Sequence, residues 1–293
     1  MEVKNHQKTL QSRSNGLLNN GSNQLPYRPL YSVIIPCKDG NETICETLNS
    51  ILKQTILPSD IVIIDDCSEV EVSRTLELSK VKYPVYIVRL ERRHERDYSY
   101  IAHLINIGLP YTWRKGCPRF IMISGADCVY PSNYVETLIE EFNKDMVAVV
   151  SGEIQNREIV LGERMPRGSG RIISFMFLTS LYPLPIKIGW ESWILFKALE
   201  RGWRISCLDI RFRHIKEHSS FSLRTFGHAQ YTLGYPFVFV LLKVFIRRNL
   251  QQFLGYFEYF ITSKEKFENS KFVSKNRKQY LIKEIKSLMR IRK

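Results

Sequence analysis

Short apolar runs alternate with amphipathic stretches through the first half of the chain. The runs that predict buried strands lie at 31–36, 61–64, 85–88 and 120–124. The stretches with apolar residues at helical spacing lie at 44–52, 69–80 and 98–111. Strands that are apolar throughout and are separated by helices are typical of a parallel, doubly wound sheet. The pattern therefore predicts an α/β fold.

The fourth apolar run leads into a small polar corner that carries one carboxylate, Asp127, before Pro131. Ligands of open α/β sheets lie beyond the carboxyl ends of the parallel strands. An aspartate at that position is well placed to hold a divalent cation against a phosphate. Alternatively, Asp127 caps the helix that begins near Pro131. The stretch by itself leaves both interpretations open.

The second apolar run also ends in carboxylates, at Asp65 and Asp66. Because parallel strands share one direction, these acids and Asp127 are predicted at the same edge of the sheet. Carboxylates gathered at such an edge suit a nucleotide and a metal ion. Each position taken singly is also explained by turn chemistry, since aspartate is common in turns.

Composition and charge narrow the choice of partner. The 293 residues, 44% of them hydrophobic, provide a core for one large domain or for one domain with an appendage. The net charge of +14 favours nucleotides, anionic lipid headgroups or nucleic acid. Residues 263–293 hold eleven lysines and arginines against three glutamates, a charge of +8. Because the rest of the chain is only mildly basic, no nucleic-acid partner is expected.

The six cysteines are scattered, with no CxxC pair and no histidine cluster beside them. They are Cys37, Cys45, Cys67, Cys117, Cys128 and Cys207. This distribution argues against a zinc site and against a disulfide framework, and it predicts a reducing, cytoplasmic setting. Residues 1–24 are polar and lack the apolar core of a signal peptide, which predicts a disordered leader over 1–27.

Three motifs carry a family resemblance. The stretch 31–66 reads YSVIIPCKDGNETICETLNSILKQTILPSDIVIIDD. It resembles the opening of the family 2 glycosyltransferases of GT-A fold: strand, proline, polar loop, a helix ending in Gln-Thr, and a strand ending in Asp-Asp-x-Ser. The stretch 120–131 is similar to the family's metal-binding Asp-x-Asp segment, and 189–204 is similar to its acidic catalytic segment and the following helix. The resemblance extends over 30–220, about two thirds of the chain.

The resemblance implies a fold and an activity. The expected fold is a GT-A, Rossmann-like, mostly parallel sheet flanked by helices at 28–220, with an appended helical, basic region at 221–293. The expected enzyme moves a sugar from a nucleoside-diphosphate donor to a glycan or lipid-linked acceptor, with inversion. A Mg²⁺ or Mn²⁺ cofactor is expected as well, because a divalent cation neutralises charge on the leaving diphosphate.

The resemblance also implies roles for single residues. Asp127 is expected to bind the metal, together with a downstream histidine. His214 is the first choice for that histidine because it follows a strand-like run, and His218 is the second. Glu191 inherits the role of the base that takes the acceptor's proton. The residues assigned to the donor are Pro36, Asp39, Asp65, Asp66 and Asn106.

Two positions depart from the family's pattern. Gly125 stands where the first acid of Asp-x-Asp is expected, and Ser192 stands where the Glu-Asp pair has its aspartate. These departures support an alternative, a non-catalytic relative that binds a sugar nucleotide or a glycan. The Gly- and Arg-rich stretch 163–171 is expected either to clamp the diphosphate or to be a mobile loop.

The last third of the chain is apolar and then basic. The run 237–246 is nearly all apolar but is shorter than the about 20 residues that span a bilayer. Aromatic residues are frequent at 253–261, and the tail around 281–289 has apolar residues at helical spacing among basic ones. These features are typical of helices lying on the anionic, cytoplasmic face of a membrane. A core helix or a dimer interface is the alternative, and the oligomeric state stays open.

Overall fold

The computed structural model describes residues 30–79, 85–91, 99–114, 116–155, 164–216, 223–247 and 250–291. The predicted leader and His218 lie outside these residues. The described parts of the chain fall into two compact units. Of the described residues, those within 30–91, 103–183 and 206–216 form the first unit, and those within 99–102, 184–205 and 223–291 form the second. The division at 27 and 220 stays a prediction.

The strands of the described residues are β1 Tyr31–Cys37, β2 Asp60–Asp65, β3 Val85–Arg89, β4 Phe120–Ile123, β5 Cys128–Val129, β6 Val147–Ile154, β7 Arg171–Ser174 and β8 Arg204–His214. They form one eight-stranded sheet in the order β3-β2-β1-β4-β7-β6-β8-β5. The first four strands pair in parallel, as the sequence predicts. Beyond β4 the observed pairs β4–β7, β6–β7 and β5–β8 are antiparallel, so the sheet is mixed.

The helices flank the sheet and then continue into the C-terminal region. Their bounds are α1 Ile44–Leu52, α2 Val72–Leu78, α3 Tyr100–Gly108, α4 Tyr134–Glu141, α5 Phe175–Thr179, α6 Trp190–Glu200, α7 Leu223–Leu233, α8 Phe237–Arg247, α9 Leu250–Ile261 and α10 Ser270–Ile291. The helix predicted to reach 111 ends earlier. After Gly108 the chain tightens into a 3-10 helix over Leu109–Trp113, where Pro110 lacks the N–H that an α-helix would use.

The core lies on both faces of the parallel strands. Val33 and Ile63 are fully buried on the face covered by α1, where Leu48 packs. On the other face, α3 approaches so closely that a Cβ on Gly108 would lie 3.0 Å from the Ile34 side chain. Burial on both faces explains why these strands are apolar throughout. It also fixes their carboxyl ends at one edge of the sheet.

The second unit is helical. Helices α7 and α9 pack backbone to backbone, because a Cβ on Gly227 or on Gly255 would lie about 2 Å from a carbonyl oxygen of the other helix. The buried side chains of Gln252 and Gln230 hydrogen bond across this contact at 2.6 Å. The apolar run at 237–246 is helical, in α8. Among the described helices, none combines the length and the apolar character needed to cross a bilayer.

Candidate metal and donor site

Strand pairing brings two distant parts of the chain together in the first unit. In the antiparallel pair β5–β8, Cys128 lies opposite His214, and the Ile215 N–H donates to the Asp127 carbonyl at 2.7 Å. Behind this pair the Tyr130 ring packs on Phe212 with ring centroids 5.4 Å apart. These aromatic contacts bury one side of β5 and set its register against β8. Asp127 and His214 are neighbours as a result.

Three side chains converge at this point. His214 Nδ1 lies 3.3 Å from both carboxylate oxygens of Asp127 and 3.6 Å from Cys128 Sγ. Cys128 Sγ lies 3.7 Å from Asp127 Oδ1. The Asp127 side chain is 18% exposed and that of His214 is 10% exposed, whereas Cys128 is fully buried. Carboxylate, imidazole and thiol are all metal-ligating groups, and these three have the spacing of a ligand set.

The histidine is electrostatically matched to the aspartate. Burial lowers the pKa of His214, but its hydrogen bond with Asp127 and its interactions with Cys128 outweigh burial and raise this pKa to about 10. Without a bound cation, a positive imidazolium therefore sits against the Asp127 carboxylate at neutral pH. A metal ion would replace that proton, because a metal-bound imidazole is neutral.

The structure tests whether Asp127 caps the helix that follows it. Helix α4 begins at Tyr134, and its N-cap position is Asn133. Asp127 lies six residues before that position and packs on β8. The capping interpretation is therefore wrong.

The glycine at 125 leaves room for two of the three side chains, Asp127 and Cys128. A Cβ at this position would lie 2.9 Å from Asp127 Oδ1, 3.0 Å from Cys128 Sγ and 3.2 Å from Ser169 Oγ. A side chain there would push against the carboxylate and the thiol, since both contacts are shorter than ordinary van der Waals distances. The absence of a side chain at 125, where the family has the first acid of Asp-x-Asp, therefore allows Asp127 and Cys128 to lie close to this position.

The acids after β2 are held by protein groups. Asp65 accepts hydrogen bonds from the Ser68 N–H at 2.9 Å and from the Arg89 guanidinium at 2.6 Å. Asp66 is also buried, with the Lys38 ammonium 3.4 Å from its carboxylate. Each carboxylate therefore has a positively charged group beside it, and the Asp65 carboxylate also holds the loop that follows the strand.

The loops after β1, β2 and β4 meet at this edge. Asp39, with a left-handed φ of 51°, donates its N–H to Ser68 Oγ at 2.9 Å, and its carboxylate accepts from the Glu69 N–H at 3.0 Å. Thr43 Oγ1 donates to the Ala126 carbonyl at 2.8 Å, which ties the first loop to the segment before Asp127.

The two remaining donor candidates lie on regular elements. Pro36 is half-buried near the carboxyl end of β1, with its Cα opposite Ile64 of β2. It therefore shares the edge at which Asp39, Asp65 and Asp66 lie. Asn106 is half-buried on α3.

The described part of the Gly- and Arg-rich loop is anchored. Arg167 forms an ion pair with buried Glu153, with Nε 2.9 Å from the carboxylate, and its N–H donates to Ser151 Oγ at 2.7 Å. Arg171 is buried and donates from Nε to the Arg167 and Gly168 carbonyls. The guanidinium groups of Arg167 and Arg171 are therefore engaged within the protein. Glu163, at the start of the predicted loop, lies outside the described residues.

Glu191 belongs to the second unit. It lies half-buried in the first turn of α6, after Gly189, whose φ of 90° suits a glycine. Trp190 and Trp193 beside it are buried, and the Trp193 indole donates to Glu268 at 3.0 Å. These contacts fix the start of α6. The structure thus brings Asp127 and His214 together, while Glu191 is described within its own unit.

Cys128 is the site residue that the sequence pattern does not reveal. Its signal is long-range, because Cys128 meets His214, 86 residues later in the chain, only when β5 pairs with β8. A search for CxxC spacing cannot find it, because its partners are one neighbour in the chain and one residue from another strand.

The chain is also similar in sequence to a known protein family. A family model described as Glycosyl transferase family 2 matches residues 32–203. Among curated proteins no match is found.

Two solved structures share the fold. TarS 1-349 from S. aureus, in complex with UDP, gives a TM-score of 0.50 at 18% identity, over 69% of this chain and 63% of that one. The mannosyltransferase PcManGT from Pyrobaculum calidifontis, in complex with GDP-Man and Mn²⁺, gives 0.54 at 16% identity, over 73% and 65%. The chain thus spans less than two thirds of either structure. At these identities the likeness concerns the fold.

Proposed function

Because the chain belongs to glycosyl transferase family 2 and has the GT-A fold, we propose that it transfers a sugar from a nucleoside-diphosphate donor to a glycan or lipid-linked acceptor, with inversion. The observation that carries this proposal is the approach of His214 to within 3.3 Å of the Asp127 carboxylate. By the resemblance, these two residues are the expected metal ligands.

The residues present fit a divalent cation. Asp127 and His214 would hold it, and a carboxylate with an imidazole suits Mn²⁺ better than Mg²⁺, which prefers an all-oxygen shell. When bound, the cation would neutralise charge on the departing diphosphate. PcManGT, which has the same fold, is described with GDP-Man and Mn²⁺, and this supports a nucleotide-sugar donor with a metal here.

The donor would be held by the loops at the carboxyl edge. We assign Asp39 and Asp66 to direct contacts with the base and ribose, because they lie in adjoining loops at that edge. Pro36 would shape the nucleobase pocket through its backbone. Asp65 would act in part by fixing the loop, since its carboxylate is already bonded to Ser68 and Arg89. Asn106 stays a candidate by resemblance alone.

Glu191 would be the base. It is the acid within the segment 189–193, and an inverting transfer needs one carboxylate to accept the proton of the acceptor hydroxyl. Ser192 supplies no second carboxylate, so Glu191 would act without the acidic neighbour that the family pattern includes. The alternative, a non-catalytic binding relative, rests on this departure and on Gly125.

The C-terminal helices would attach the enzyme to an anionic membrane. The membrane face would be the cytoplasmic one, because the scattered cysteines predict a reducing setting. On α9, exposed apolar side chains recur at helical spacing at Leu250, Leu254, Phe257 and Ile261. The one acid of this helix, Glu258, is paired with Arg224 and His228 of α7. Exposed lysines follow at 264, 266, 271, 275 and 278. An apolar face beside basic residues suits anionic lipid and a lipid-linked acceptor.

The test of the activity is donor binding followed by turnover. Purified full-length chain is heated with a panel of UDP- and GDP-sugars, each with and without Mn²⁺. At 100 times its Kd, a true donor stabilises the folded state by about 2.7 kcal/mol and so raises Tm. Release of nucleoside diphosphate then separates an enzyme from a binding relative. A chain that no sugar nucleotide stabilises, with or without Mn²⁺, would overturn the proposal.

A further inference from the structure

We propose that Cys128 is a third protein ligand of the cation, so that this site is a thiophilic, four-coordinate one that prefers Zn²⁺ or Co²⁺ to Mg²⁺. The inference rests on the proposed function in that it concerns the same cation site. It departs from an Asp-and-His site by adding a sulfur ligand.

The distances between the three donor atoms carry the inference. With bonds of about 2.3 Å to sulfur, about 2.05 Å to nitrogen and about 2.1 Å to oxygen, tetrahedral zinc ligands lie about 3.6 Å apart where sulfur is involved and about 3.4 Å apart for nitrogen and oxygen. The observed separations are 3.6 Å for Sγ to Nδ1, 3.7 Å for Sγ to Oδ1 and 3.3 Å for Nδ1 to Oδ1. All three edges of the ligand triangle therefore match one tetrahedral centre.

The thiol is held in place by its surroundings. Cys128 is fully buried and lies opposite His214 in the β5–β8 register, so its side chain cannot turn to solvent. The neighbouring side chain of Tyr130 is also buried, and its hydroxyl lies 2.8 Å from the Ser124 hydroxyl.

A cysteine nucleophile is the competing interpretation, and the geometry disfavours it. In a nucleophilic triad the acid and the nucleophile contact opposite ring nitrogens of the histidine. Here Asp127 and Cys128 both approach Nδ1 of His214. Convergence of a carboxylate and a thiol on one nitrogen suits a shared cation. Three protein ligands also leave the fourth position of a tetrahedral site for an oxygen of the diphosphate, as in catalytic zinc sites.

Spectroscopy tests this ligand without relying on activity. The full-length, metal-free chain is titrated with Co²⁺. We expect the intense visible bands of tetrahedral cobalt together with a near-ultraviolet band of cysteinate-to-cobalt charge transfer. Cys128→Ser should remove the charge-transfer band and lower Zn²⁺ affinity by at least about 10-fold, the smallest loss typical even of groups behind the ligands. Cys117→Ser, at an exposed cysteine, should change neither.

The outcomes separate this inference from the proposed function. Cobalt bound without a charge-transfer band, or a band that persists in Cys128→Ser, would refute the sulfur ligand. If Cys128→Ser does not fold, X-ray absorption of the zinc-loaded native chain decides instead, by the presence or absence of one sulfur at about 2.3 Å. If sulfur is a ligand but no sugar nucleotide binds, only the proposed function is contradicted. If a donor binds but sulfur is not a ligand, only this inference is contradicted.

Discussion

The Arg89 guanidinium donates to the buried carboxylate of Asp65 across 2.6 Å, joining the end of β3 to the end of β2. Asp65 is 1% exposed in its side chain, and its other oxygen accepts from the Ser68 N–H. Asp65→Asn would turn one oxygen into a donor facing Arg89. We expect unfolding in urea to show a loss of about 1.5–3 kcal/mol, the usual contribution of a hydrogen bond to a charged group.

The matched control for Asp65 is Asp66→Asn. Its carboxylate meets Lys38 at 3.4 Å, a longer contact than that of Asp65 with Arg89. We expect Asp66→Asn to weaken donor binding with a smaller effect on stability. The reverse ranking, with Asp65→Asn impairing donor affinity at unchanged stability, would show that Asp65 contacts the donor directly.

Asp127→Ala should abolish metal-dependent donor binding and turnover while the fold stays intact. The reason is that this residue supplies the carboxylate of the Asp127, Cys128 and His214 cluster. Isothermal titration with Mn²⁺ and donor measures the loss, and circular dichroism checks the fold. Asp209→Ala, an exposed acid on β8, is the control and should behave as the native chain does. Near-normal turnover in Asp127→Ala would show that Asp127 is not a required metal ligand.

Glu191→Gln should lower turnover by about 10²-fold or more, the usual contribution of a general base, with donor affinity little changed. The amide keeps the shape of the side chain but cannot accept the acceptor's proton. Steady-state kinetics, with donor affinity measured separately, gives both quantities. Glu200→Gln, at the other end of α6, is the matched control. An equal fall in donor affinity would make Glu191 a binding residue.

Three of the four strands that the sequence predicts are apolar because both of their faces are buried. Strands β1, β2 and β4 are buried on both faces, so each is a continuous apolar run. Strand β8 is different, because several of its residues are exposed or half-buried. Its pattern reflects one covered face and a partner far away in the chain. For this reason β8 is not predicted from short windows of sequence.

The residues of the site also differ in how far the sequence alone predicts them. Asp127 lies four residues after the apolar strand β4, and that position points to ligand chemistry from sequence alone. His214 is indicated only by family resemblance, and its 3.3 Å approach to Asp127 depends on the β5–β8 pair. Cys128 has no local signal at all. What the sequence cannot provide is the distance between donors from separate strands, because strand pairing creates that distance.

Glu153→Gln should remove part of the acid sensitivity of the fold. Burial raises the pKa of Glu153, but hydrogen bonds from Arg167 and Cys207 outweigh it, so the folded-state pKa is lowered. A lowered folded pKa stabilises the fold above the unfolded value of about 4.3, and this stabilisation is lost as the pH falls through the folded value. Urea unfolding at pH 7 and at decreasing pH below about 4.3 measures the slope.

In the native chain, the free energy of unfolding should fall as Glu153 is protonated. In Glu153→Gln it should be lower at pH 7 and should fall less steeply as the pH decreases. The value at pH 7 is lower because the amide leaves the Arg167 charge without its ion-pair partner. Exposed Glu140→Gln on α4 is the control and should keep the native slope. Equal acid slopes for the native chain and Glu153→Gln would contradict the argument.

The exposed face of α9 predicts how the chain meets lipid. Leu250 is 63% exposed and Ile261 is 64% exposed, at opposite ends of one helical face. The full-length chain should sediment with anionic vesicles and only weakly with neutral ones. Each basic residue near an anionic surface contributes about 1 kcal/mol, and this attraction decays within a Debye length of about 8 Å at physiological salt. High salt should therefore release part of the bound protein, while apolar contacts retain the rest.

Leu250→Glu with Ile261→Glu should abolish the salt-resistant part, because two carboxylates would then face the acyl chains and the anionic headgroups. The matched control is Leu57→Glu with Ile186→Glu, which adds the same two charges at exposed apolar positions outside this face. If both double variants lose binding equally, net charge alone explains attachment. If neither does, α9 does not touch the membrane, and its apolar face belongs to a protein interface, for which size-exclusion chromatography with light scattering would then show a dimer.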